Sequence, residues 1–552
     1  MLLAISNFFN KKKFVILLVL ILLLGTFLRL YGIQWGLPNT NSFVSYKSDE
    51  NIYIRSISQM NPSKLDFNPH SFFWGSWHFY ELAFFLKLAH VLGWITVVPD
   101  KEFYYRHPEA MVKIFYFGRL LSVILSVFTI YLVYLIGKKI RNQQMGLLSA
   151  FLLAVMPAHV VNSHYLTADP SATFWVTWLL YFSIFILYSE SLKFYILAGI
   201  ALGLAAGSKY HGATFAMTIL MAHLLKKFNV RPLRFLHYAL YDRKLILAYA
   251  AALVTYAMTN PYMILAFSEA KPYLINLISA GGVTNVEGRE HFVLDTFKLF
   301  SVGMTWPMLT LAILSLMLAL IKPSKIQTLI LLWLLPFTIH MLKSGLLATR
   351  FQMTILPGVC ILIGIAVLTS SDFLAEKKLG LWKQFLTAML AFSFFYTTSY
   401  VIAYDQVLAS TPLQDRASFW LLENAPQGTS IGVASEPFIE KVPSIVHQDY
   451  FYPNTDLWKP TYRIFNIEHN VLKLRELKPE YFVITMKDEF YVDKKGRDNL
   501  SPFIQELLSH YDLIKSFERK IELFNYEFKP SRIILSDWHA PLSTIYILKR
   551  KV

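Results

Sequence analysis

The first 404 residues alternate between long apolar runs and short polar segments. A helix that crosses the hydrocarbon core of a bilayer needs roughly 17–25 predominantly apolar residues. Eleven runs are of about this length, and we place these predicted spans at residues 14–28, 114–137, 145–160, 170–189, 194–208, 210–225, 245–267, 299–321, 326–342, 351–371 and 385–404. The pattern predicts an all-α polytopic membrane bundle with about eleven transmembrane helices.

Charged residues between the runs predict the orientation of this bundle, because Lys and Arg concentrate in cytoplasmic loops. Three lysines at 11–13 precede the first run, and no small-residue cleavage site follows it, which predicts an uncleaved helix with a cytoplasmic N-terminus. We interpret residues 76–94 as an amphipathic helix on the outer surface. The short inner segments then hold eighteen Lys or Arg against four acids, and the short outer segments hold six against five.

The sequence changes character after residue 404. Residues 405–552 contain no spanning run, but β-like stretches at 430–435, 481–485 and 543–549 alternate with helix-like segments. We predict two domains: a transmembrane domain over 1–404 and a small α/β domain over 405–552. Eleven crossings from a cytoplasmic start place the α/β domain outside, on a multi-pass cell-membrane protein.

Composition excludes some classes of function. The formal net charge is +16, which is typical of nucleic-acid binding, but most of the excess lies in loops between apolar runs. Nucleic acid is therefore not an expected partner. The single cysteine, Cys360, rules out an intramolecular disulfide and is predicted to be a buried thiol in an apolar run.

Polar and ionisable residues that are candidates for catalysis or binding collect on the predicted outer face. A charged residue near lipid needs a partner, a route to water or a function. The candidates are Asp49, Glu50, His70, His78, Glu81, His164, Asp169, Lys209, Tyr210, Arg289 and Arg350. Carboxylates, histidines and cations on one aqueous rim above an apolar bundle suit the joining of a water-soluble acceptor to a lipid-borne phosphate.

Several of these residues have structural interpretations as well. Asp49 and Glu50 are also typical of a solvated loop. Asp169, which precedes a proline, matches a helix start with Asp as the N-cap. Lys209 and Arg350 at helix ends are also placed to extend toward the lipid headgroups.

A metal site has little support in the sequence. His78 and Glu81 are three residues apart and share a helix face, but no HExxH or comparable ligand spacing is present. We therefore assign no metal ligand and no definite cofactor. A divalent metal is an alternative that the spacing of candidate ligands does not support.

Taken in order, several segments resemble the membrane glycosyltransferases of family 39, which include the protein O-mannosyltransferases, and the related aminoarabinose transferases that modify lipid A. They extend over about residues 14–370. The matching segments are "SDENIYI", "NPHSFFWGSWHFYELAFFLKL", "FGRLLSVILSVFTIYLVYLIGKKI", "GLLSAFLLAVMPAHVVNSHYLTADPSATFWV", "AGIALGLAAGSKYHG" and "ATRFQMTILPG".

The resemblance implies a GT-C fold, with the active site on the outer face beneath surface-lying helices. It implies an inverting transferase that moves mannose or another hexose or pentose from a polyprenyl- or dolichyl-phosphate carrier to a hydroxyl acceptor on a protein, lipid or cell-surface glycan. The catalytic aspartate of the family falls on Asp49. No β-trefoil insert interrupts the long outer loop, so a protein acceptor does not carry over.

Chemistry suggests a role for each candidate within this resemblance. Asp49 is the predicted general base and Glu50 the group that orients Asp49 or the acceptor. Lys209 and Arg350 are predicted to stabilise the departing phosphate, with Arg289 as a third candidate. The remaining residues are predicted to bind substrate: His70, His78, Glu81, His164, Asp169 and Tyr210.

Two other classes of function remain open at this point. A transporter or flippase of lipid-linked sugars would place ionisable residues near mid-membrane, on broken helices in symmetrical halves. A non-catalytic scaffold would leave Asp49 far from Lys209. The position of these side chains separates the alternatives.

Overall fold

The computed structural model describes residues 2–227, 241–282, 292–343, 348–452, 458–485, 502–529, 538 and 540–551. A helical part extends to Leu408, and all β-strands of the described residues follow it. The chain is mostly helical with a small C-terminal sheet. The predicted domain division after residue 404 falls in the last turn of the helix that ends at Leu408.

The helical part is built mainly from apolar helices joined by short connections. Its helices are α1 Leu2–Leu30, α2 Ser48–Gln59, α3 Trp77–Val91, α4 Lys101–Arg106, α5 Pro108–Ile140, α6 Gln143–Ala154, α7 Pro157–Asn162, α8 Ala168–Tyr188, α9 Leu192–Ser208, α10 Met217–Lys227, α11 Arg243–Thr259, α12 Tyr262–Leu265, α13 Phe267–Gly282, α14 Phe292–Met304, α15 Trp306–Ile321, α16 Lys325–Lys343, α17 Leu356–Glu376 and α18 Gly380–Leu408. In the described part of the chain, three 3-10 turns connect some of these helices, at Pro62–Lys64, Tyr210–Ala216 and Thr349–Gln352.

Several helices are suited to a membrane. Among the described residues, those long and apolar enough to span one are Lys12–Leu30, Pro108–Ile140, Ala168–Tyr188, Leu356–Glu376 and Gly380–Asn424. The pair Thr296–Met304 and Trp306–Ile321, bent by 111°, adds a sixth if it counts as one span. The chain is a membrane protein, whereas the eleven spans and their orientation stay predictions.

Helix breaks explain why some apolar runs do not form one long helix. The predicted span at 145–160 divides after Ala154, because Pro157 begins α7. Proline fits the first turn of a helix but disrupts an interior. The predicted span at 210–225 starts with a 3-10 turn and becomes α-helical only at Met217.

Small residues allow α9 to pack very closely on α11. A Cβ atom added to Gly199 would lie 2.0 Å from the Ala248 carbonyl oxygen, and one added to Gly203 would lie 2.6 Å from that of Ala252. Only glycine permits such backbone approach, which is typical of helix pairs in membranes. The contact fixes the position of the C-terminal end of α9, where Lys209 follows.

The C-terminal part is a small α/β unit. Its described elements are α19 Leu413–Asn424, β1 Ser430–Val433, α20 Ser444–Phe451, β2 Arg463–Asn466, α21 Val471–Leu477, β3 Tyr481–Thr485, α22 Pro502–His510, β4 Tyr511–Phe517, β5 Ile521–Leu523, β6 Tyr526–Phe528 and β7 Ile545–Arg550. Five of these strands form a sheet in the order β2-β1-β3-β7-β4, with β1 parallel to β2 and β3, and β7 antiparallel to β3 and β4. A separate hairpin pairs β5 with β6. The three predicted β-like stretches correspond to β1, β3 and β7.

Candidate active site

The start of α2 separates two adjacent carboxylates. Asp49 and Glu50 both lie in the first turn of this helix. With 3.6 residues per turn, neighbouring side chains leave the helix about 100° apart. Glu50 and Tyr53 point into the protein interior and are buried, whereas the Asp49 side chain is 21% exposed. The two acids therefore lie in different environments.

Glu50 forms a fully buried ion pair with Arg119 of α5. Arg119 Nε donates to Glu50 Oε1 at 2.8 Å, and Nη2 donates to Oε2 at 2.7 Å. The backbone N–H of Leu166 and the hydroxyl of Ser45 also donate to this carboxylate. Both oxygens are occupied, and Glu50 joins α2 to α5 and to the segment before α8. The predicted role of Glu50, orienting Asp49 or the acceptor, stays a prediction.

Asp49 pairs instead with Arg350. The Arg350 guanidinium donates from Nη1 to Asp49 Oδ2. Arg350 lies on the 3-10 turn Thr349–Gln352, directly before α17. Its side chain is 24% exposed. The pair is therefore partly buried, and a part of each side chain is open to solvent.

A second pair joins the first turn of α8 to the end of α9. Lys209 Nζ donates to Asp169 Oδ1 at 2.7 Å, and both side chains are nearly buried. Lys209 Nζ also lies 5.1 Å from the ring centre of Phe351, and the Arg350 guanidinium carbon lies 5.8 Å from the same ring. The two pairs therefore meet across Phe351. We call Asp49, Asp169, Lys209 and Arg350 the charged cluster.

The charged cluster shifts the pKa of its own members. Burial on its own would raise the pKa of Asp49, but the positive charges of Arg350, Lys47 and Lys209 outweigh burial and lower it. Burial lowers the pKa of Lys209, and the negative charge of Asp169 partly offsets this effect. Asp49 is therefore a carboxylate at neutral pH.

Tyr53 lies one helical turn after Asp49 and borders the cluster. Its hydroxyl oxygen accepts a hydrogen bond from the backbone N–H of Ala168, at 3.1 Å. Burial raises the pKa of Tyr53 well above its ordinary value, and the charges of Asp169 and Asp49 add to this effect. The phenol stays neutral, and it links α2 to the start of α8.

His78 and Glu81 connect α3 to α8. His78 Nδ1 lies 3.3 Å from Glu81 Oε2, which also accepts a hydrogen bond from Ser171. Trp175 Nε1 donates to the other carboxylate oxygen at 3.1 Å. Among the described residues, no hydrogen bond or ion pair joins His78 or Glu81 to the charged cluster itself, and both groups join helices beside it.

His70 and Tyr210 lie outside the charged cluster as well. His70 Nδ1 is 2.8 Å from Glu269 Oε2, and both side chains are partly exposed. The hydroxyl of Tyr210 donates to the carbonyl oxygen of Phe72 at 3.1 Å. These contacts tie the segment before α3 to α13 and to the turn after α9. Substrate binding by either residue stays a prediction.

His164 is buried among backbone carbonyls. Its Nδ1 lies 3.0 Å from the Val160 oxygen and its Nε2 lies 3.0 Å from the Tyr31 oxygen. Burial lowers the pKa of His164 to about 4. The neutral ring donates through one nitrogen only, so one of the two contacts is not a hydrogen bond. Nε2 also lies 3.8 Å from Asp405 Oδ1. Substrate binding by His164 stays a prediction.

Two further predictions concern Arg289 and metal binding. Arg289 lies outside the described residues. In the part of the chain that the structure describes, no group of three His, Cys, Asp or Glu residues is arranged to hold a metal ion.

Two residues of the site lack an assigned role in the sequence analysis. Arg119 lies within the predicted span at 114–137, where a charge without a partner is costly. That cost was a usable signal that Arg119 has a buried partner, although it does not identify Glu50 as that partner. Lys47 precedes α2, is 6% exposed and lies 5.6 Å from the ring centre of Tyr165. No spacing in the sequence indicates the contact between Lys47 and Tyr165.

A large cavity lies beside α2. Its volume is about 1820 Å³, and its lining includes Ile54, Arg55, Phe84, Lys87 and Tyr262. Asp49 is not part of the lining, because Ile54 and Arg55 leave α2 on the face away from it. The helix therefore forms a wall between the cavity and the charged cluster.

Comparison with solved structures gives several distant similarities. The oligosaccharyltransferase AglB from Archaeoglobus fulgidus, in complex with an inhibitory peptide and a dolichol-phosphate, is 12% identical with a TM-score of 0.48, over 88% of this chain and 71% of that one. ArnT from Cupriavidus metallidurans bound to undecaprenyl phosphate is 12% identical with a TM-score of 0.46, over 97% and 98% of the two chains. The S. cerevisiae protein O-mannosyltransferase Pmt1–Pmt2 complex bound to the sugar donor is 17% identical with a TM-score of 0.34, over 47% of this chain and 34% of that one.

Comparison with curated protein sequences gives no significant match. One family does match. The model of the family described as dolichyl-phosphate-mannose-protein mannosyltransferase matches residues 115–254. This region contains Arg119, Asp169 and Lys209, whereas Asp49 and Arg350 lie outside it. Within residues 115–254, the resemblance to the mannosyltransferase family that the motifs indicate is confirmed.

Proposed function

We propose that this protein is an inverting glycosyltransferase that takes a sugar from a polyprenyl or dolichyl phosphate and transfers it to a hydroxyl acceptor. The observation that supports this most directly is the charged cluster, in which a partly exposed carboxylate lies beside two cations. The family match over 115–254 supports a donor of the dolichyl-phosphate-sugar class.

Asp49 is the general base in this proposal. An acceptor hydroxyl is a weak nucleophile until a carboxylate takes its proton. The oxygen then attacks the anomeric carbon as the bond between that carbon and the phosphate oxygen breaks. A single displacement of this kind inverts the anomeric centre, and the lipid phosphate leaves with the bonding electrons.

Lys209 and Arg350 stabilise the phosphate that leaves. Negative charge on its oxygens grows as the bond breaks, and fixed cations at a poorly hydrated site stabilise such charge strongly. The two side chains approach Phe351 from α9 and from the turn before α17. A phosphate bound between them would be held by cations from two separate elements.

The pairing of Asp49 with Arg350 gives this mechanism an order. A carboxylate paired with a guanidinium is a weak base, because the pairing lowers its pKa. Arg350 that turns toward a donor phosphate shares its charge with that phosphate, and the basicity of Asp49 rises. Donor binding thus activates the base.

The setting of the site agrees with a donor that arrives through the bilayer. Asp169 and Lys209 lie at the ends of the apolar helices α8 and α9. We place this end on the outer face of the cell membrane, in a GT-C type bundle, with the C-terminal domain on the same side. The sugar is mannose or another hexose or pentose, and the acceptor is a protein, lipid or cell-surface glycan.

The test is donor turnover by the purified protein in lipid vesicles. A panel of polyprenyl- and dolichyl-phosphate sugars is offered, and released lipid phosphate and transferred sugar are measured. At least one donor should be consumed, and Asp49→Asn should lower turnover by about 100-fold or more.

Asp66→Asn is the matched control. Asp66 Oδ1 accepts a hydrogen bond from the backbone N–H of Asn68, and the side-chain oxygen of an asparagine at position 66 would accept the same bond. Its turnover should equal that of the wild type. Undiminished turnover in Asp49→Asn would remove Asp49 from the mechanism, and failure of the wild type to consume any donor would refute the proposed function.

A further inference from the structure

The C-terminal domain reaches the start of α2. Glu440 Oε1 accepts two hydrogen bonds from Ser48, one from its backbone N–H at 2.9 Å and one from its hydroxyl at 2.8 Å. Ser48 is the first residue of α2 and directly precedes Asp49. The two partners are 392 residues apart along the chain.

This contact takes the place of a local helix cap. The first N–H groups of an α-helix have no partner within the helix and are usually satisfied by a side chain at the N-cap position. Lys47 occupies that position and forms no side-chain cap. A carboxylate also interacts favourably with the positive end of the helix dipole. Glu440 supplies both interactions from another domain.

Further hydrogen bonds from the C-terminal domain hold the segment that leads into α2. Asp415 accepts hydrogen bonds from the hydroxyl of Tyr46 and, at 3.3 Å, from the side-chain amide of Asn39. Gln448 accepts a hydrogen bond from the backbone N–H of Phe43 at 3.2 Å. The path from residue 39 to Asp49 is thus held at several points by α19, α20 and the loop between β1 and α20.

We propose that Glu440 is a positioning residue that fixes the first turn of α2 and thereby the Asp49 carboxylate. This inference rests on the proposed function, in which Asp49 is the base. The C-terminal domain then completes the active site of the transmembrane domain. A small displacement of a catalytic group is costly, because transfer requires reacting atoms in near-attack geometry.

Three variants of the full-length protein test this role. Glu440→Ala removes the acceptor, whereas Glu440→Gln keeps a carbonyl oxygen that accepts from Ser48. Glu436→Ala is the matched control, because it removes an exposed carboxylate from the same loop and keeps the backbone oxygen of residue 436, which accepts a hydrogen bond from Phe438. The first measurement is amide hydrogen exchange in the first turn of α2, which does not depend on any activity.

Exchange at residues 48–52 should be faster in Glu440→Ala and unchanged in Glu440→Gln and Glu436→Ala. In the transfer assay, kcat should fall about tenfold in Glu440→Ala with KM for the donor unchanged, and Glu440→Gln should stay within about twofold of the wild type. A structural role without influence on Asp49 would leave kcat unchanged.

Three results would overturn the proposal. The first is wild-type exchange in Glu440→Ala, and the second is an unchanged kcat in that variant. The third is equal loss of kcat in Glu440→Ala and Glu440→Gln, which would indicate that the charge itself acts in the reaction. Faster exchange in Glu440→Ala, together with a wild-type protein that consumes no donor, would support the contact while refuting the proposed function.

Discussion

Asp49 and Glu50 are neighbours in the sequence, but their carboxylates belong to different ion pairs. Asp49 pairs with Arg350 at a partly exposed site, and Glu50 pairs with Arg119 in the interior. One acid is therefore accessible for chemistry while the other anchors the helix that carries it.

Loss of the buried pair should lower stability more than loss of the exposed one. Glu50→Ala leaves Arg119 buried without its partner, and removal of one member of a buried pair costs about 3–5 kcal/mol. The unfolding temperature of the purified protein in detergent should fall clearly. Asp49→Asn serves as the control and should unfold close to the wild type. Equal unfolding temperatures for the two variants would contradict the anchoring role of Glu50.

Removal of either cation should weaken donor binding. A hydrogen bond to a charged group contributes roughly 1.5–3 kcal/mol, so Lys209→Ala or Arg350→Ala should raise the Kd for a polyprenyl-phosphate sugar by about 10- to 100-fold. Binding can be followed by titration of the donor into protein in nanodiscs. Arg106→Ala is the control, since Arg106 is an exposed residue paired with Glu102. Unchanged affinity would leave the two cations as membrane anchors only.

The pH profile of transfer should report the pairing of Asp49. Because the pKa of Asp49 lies below its ordinary value of 3.8, the base stays ionised as the pH falls. The profile of kcat/KM should therefore remain free of an acid limb from pH 7 down to about 4. In Arg350→Ala the largest of the lowering charges is gone, so the acid limb should move to higher pH. A limb at the same pH in both proteins would argue against the influence of Arg350.

Asp169 should keep Lys209 charged. Burial lowers the pKa of Lys209, and Asp169 opposes that effect, so Asp169→Asn should lower the pKa further. A lysine is charged below its pKa, and donor affinity should thus be lost at a lower pH in the variant as the pH rises. Donor Kd measured from pH 6 to about 10 tests this. Superimposable curves for the wild type and the variant would count against it.

The sequence predicts much of the site but not the division between its acids. Asp169, Lys209 and Arg350 stand out because each charge lies near the end of an apolar run, and Asp49 stands out through the family resemblance. The structure brings the four residues together. Glu50 has the same context in the sequence as Asp49, and only the rotation of α2 sends it inward. Arg119, which pairs with Glu50, was recognisable as a charge inside an apolar run. Which acid pairs with Arg119 depends on tertiary packing.

The pattern of apolar runs predicts the positions of helices but not every break within them. Apolar runs indicate where helices occur, but Pro157 and the turn at Tyr210–Ala216 divide two of them. The link from Glu440 to Ser48 had no local signal, since helix caps are normally sought within a few residues. Contacts between distant segments are where interpretation of the sequence fell short.

The separation of Asp49 from Arg350 by 301 residues has a consequence for biosynthesis. At about 5–20 residues per second, a ribosome needs roughly 15–60 s to extend the chain from one residue to the other. During that interval the nascent protein lacks the arginine that completes the site. In the proposed function, the complete donor site therefore forms late, after most of the helical part has been synthesised.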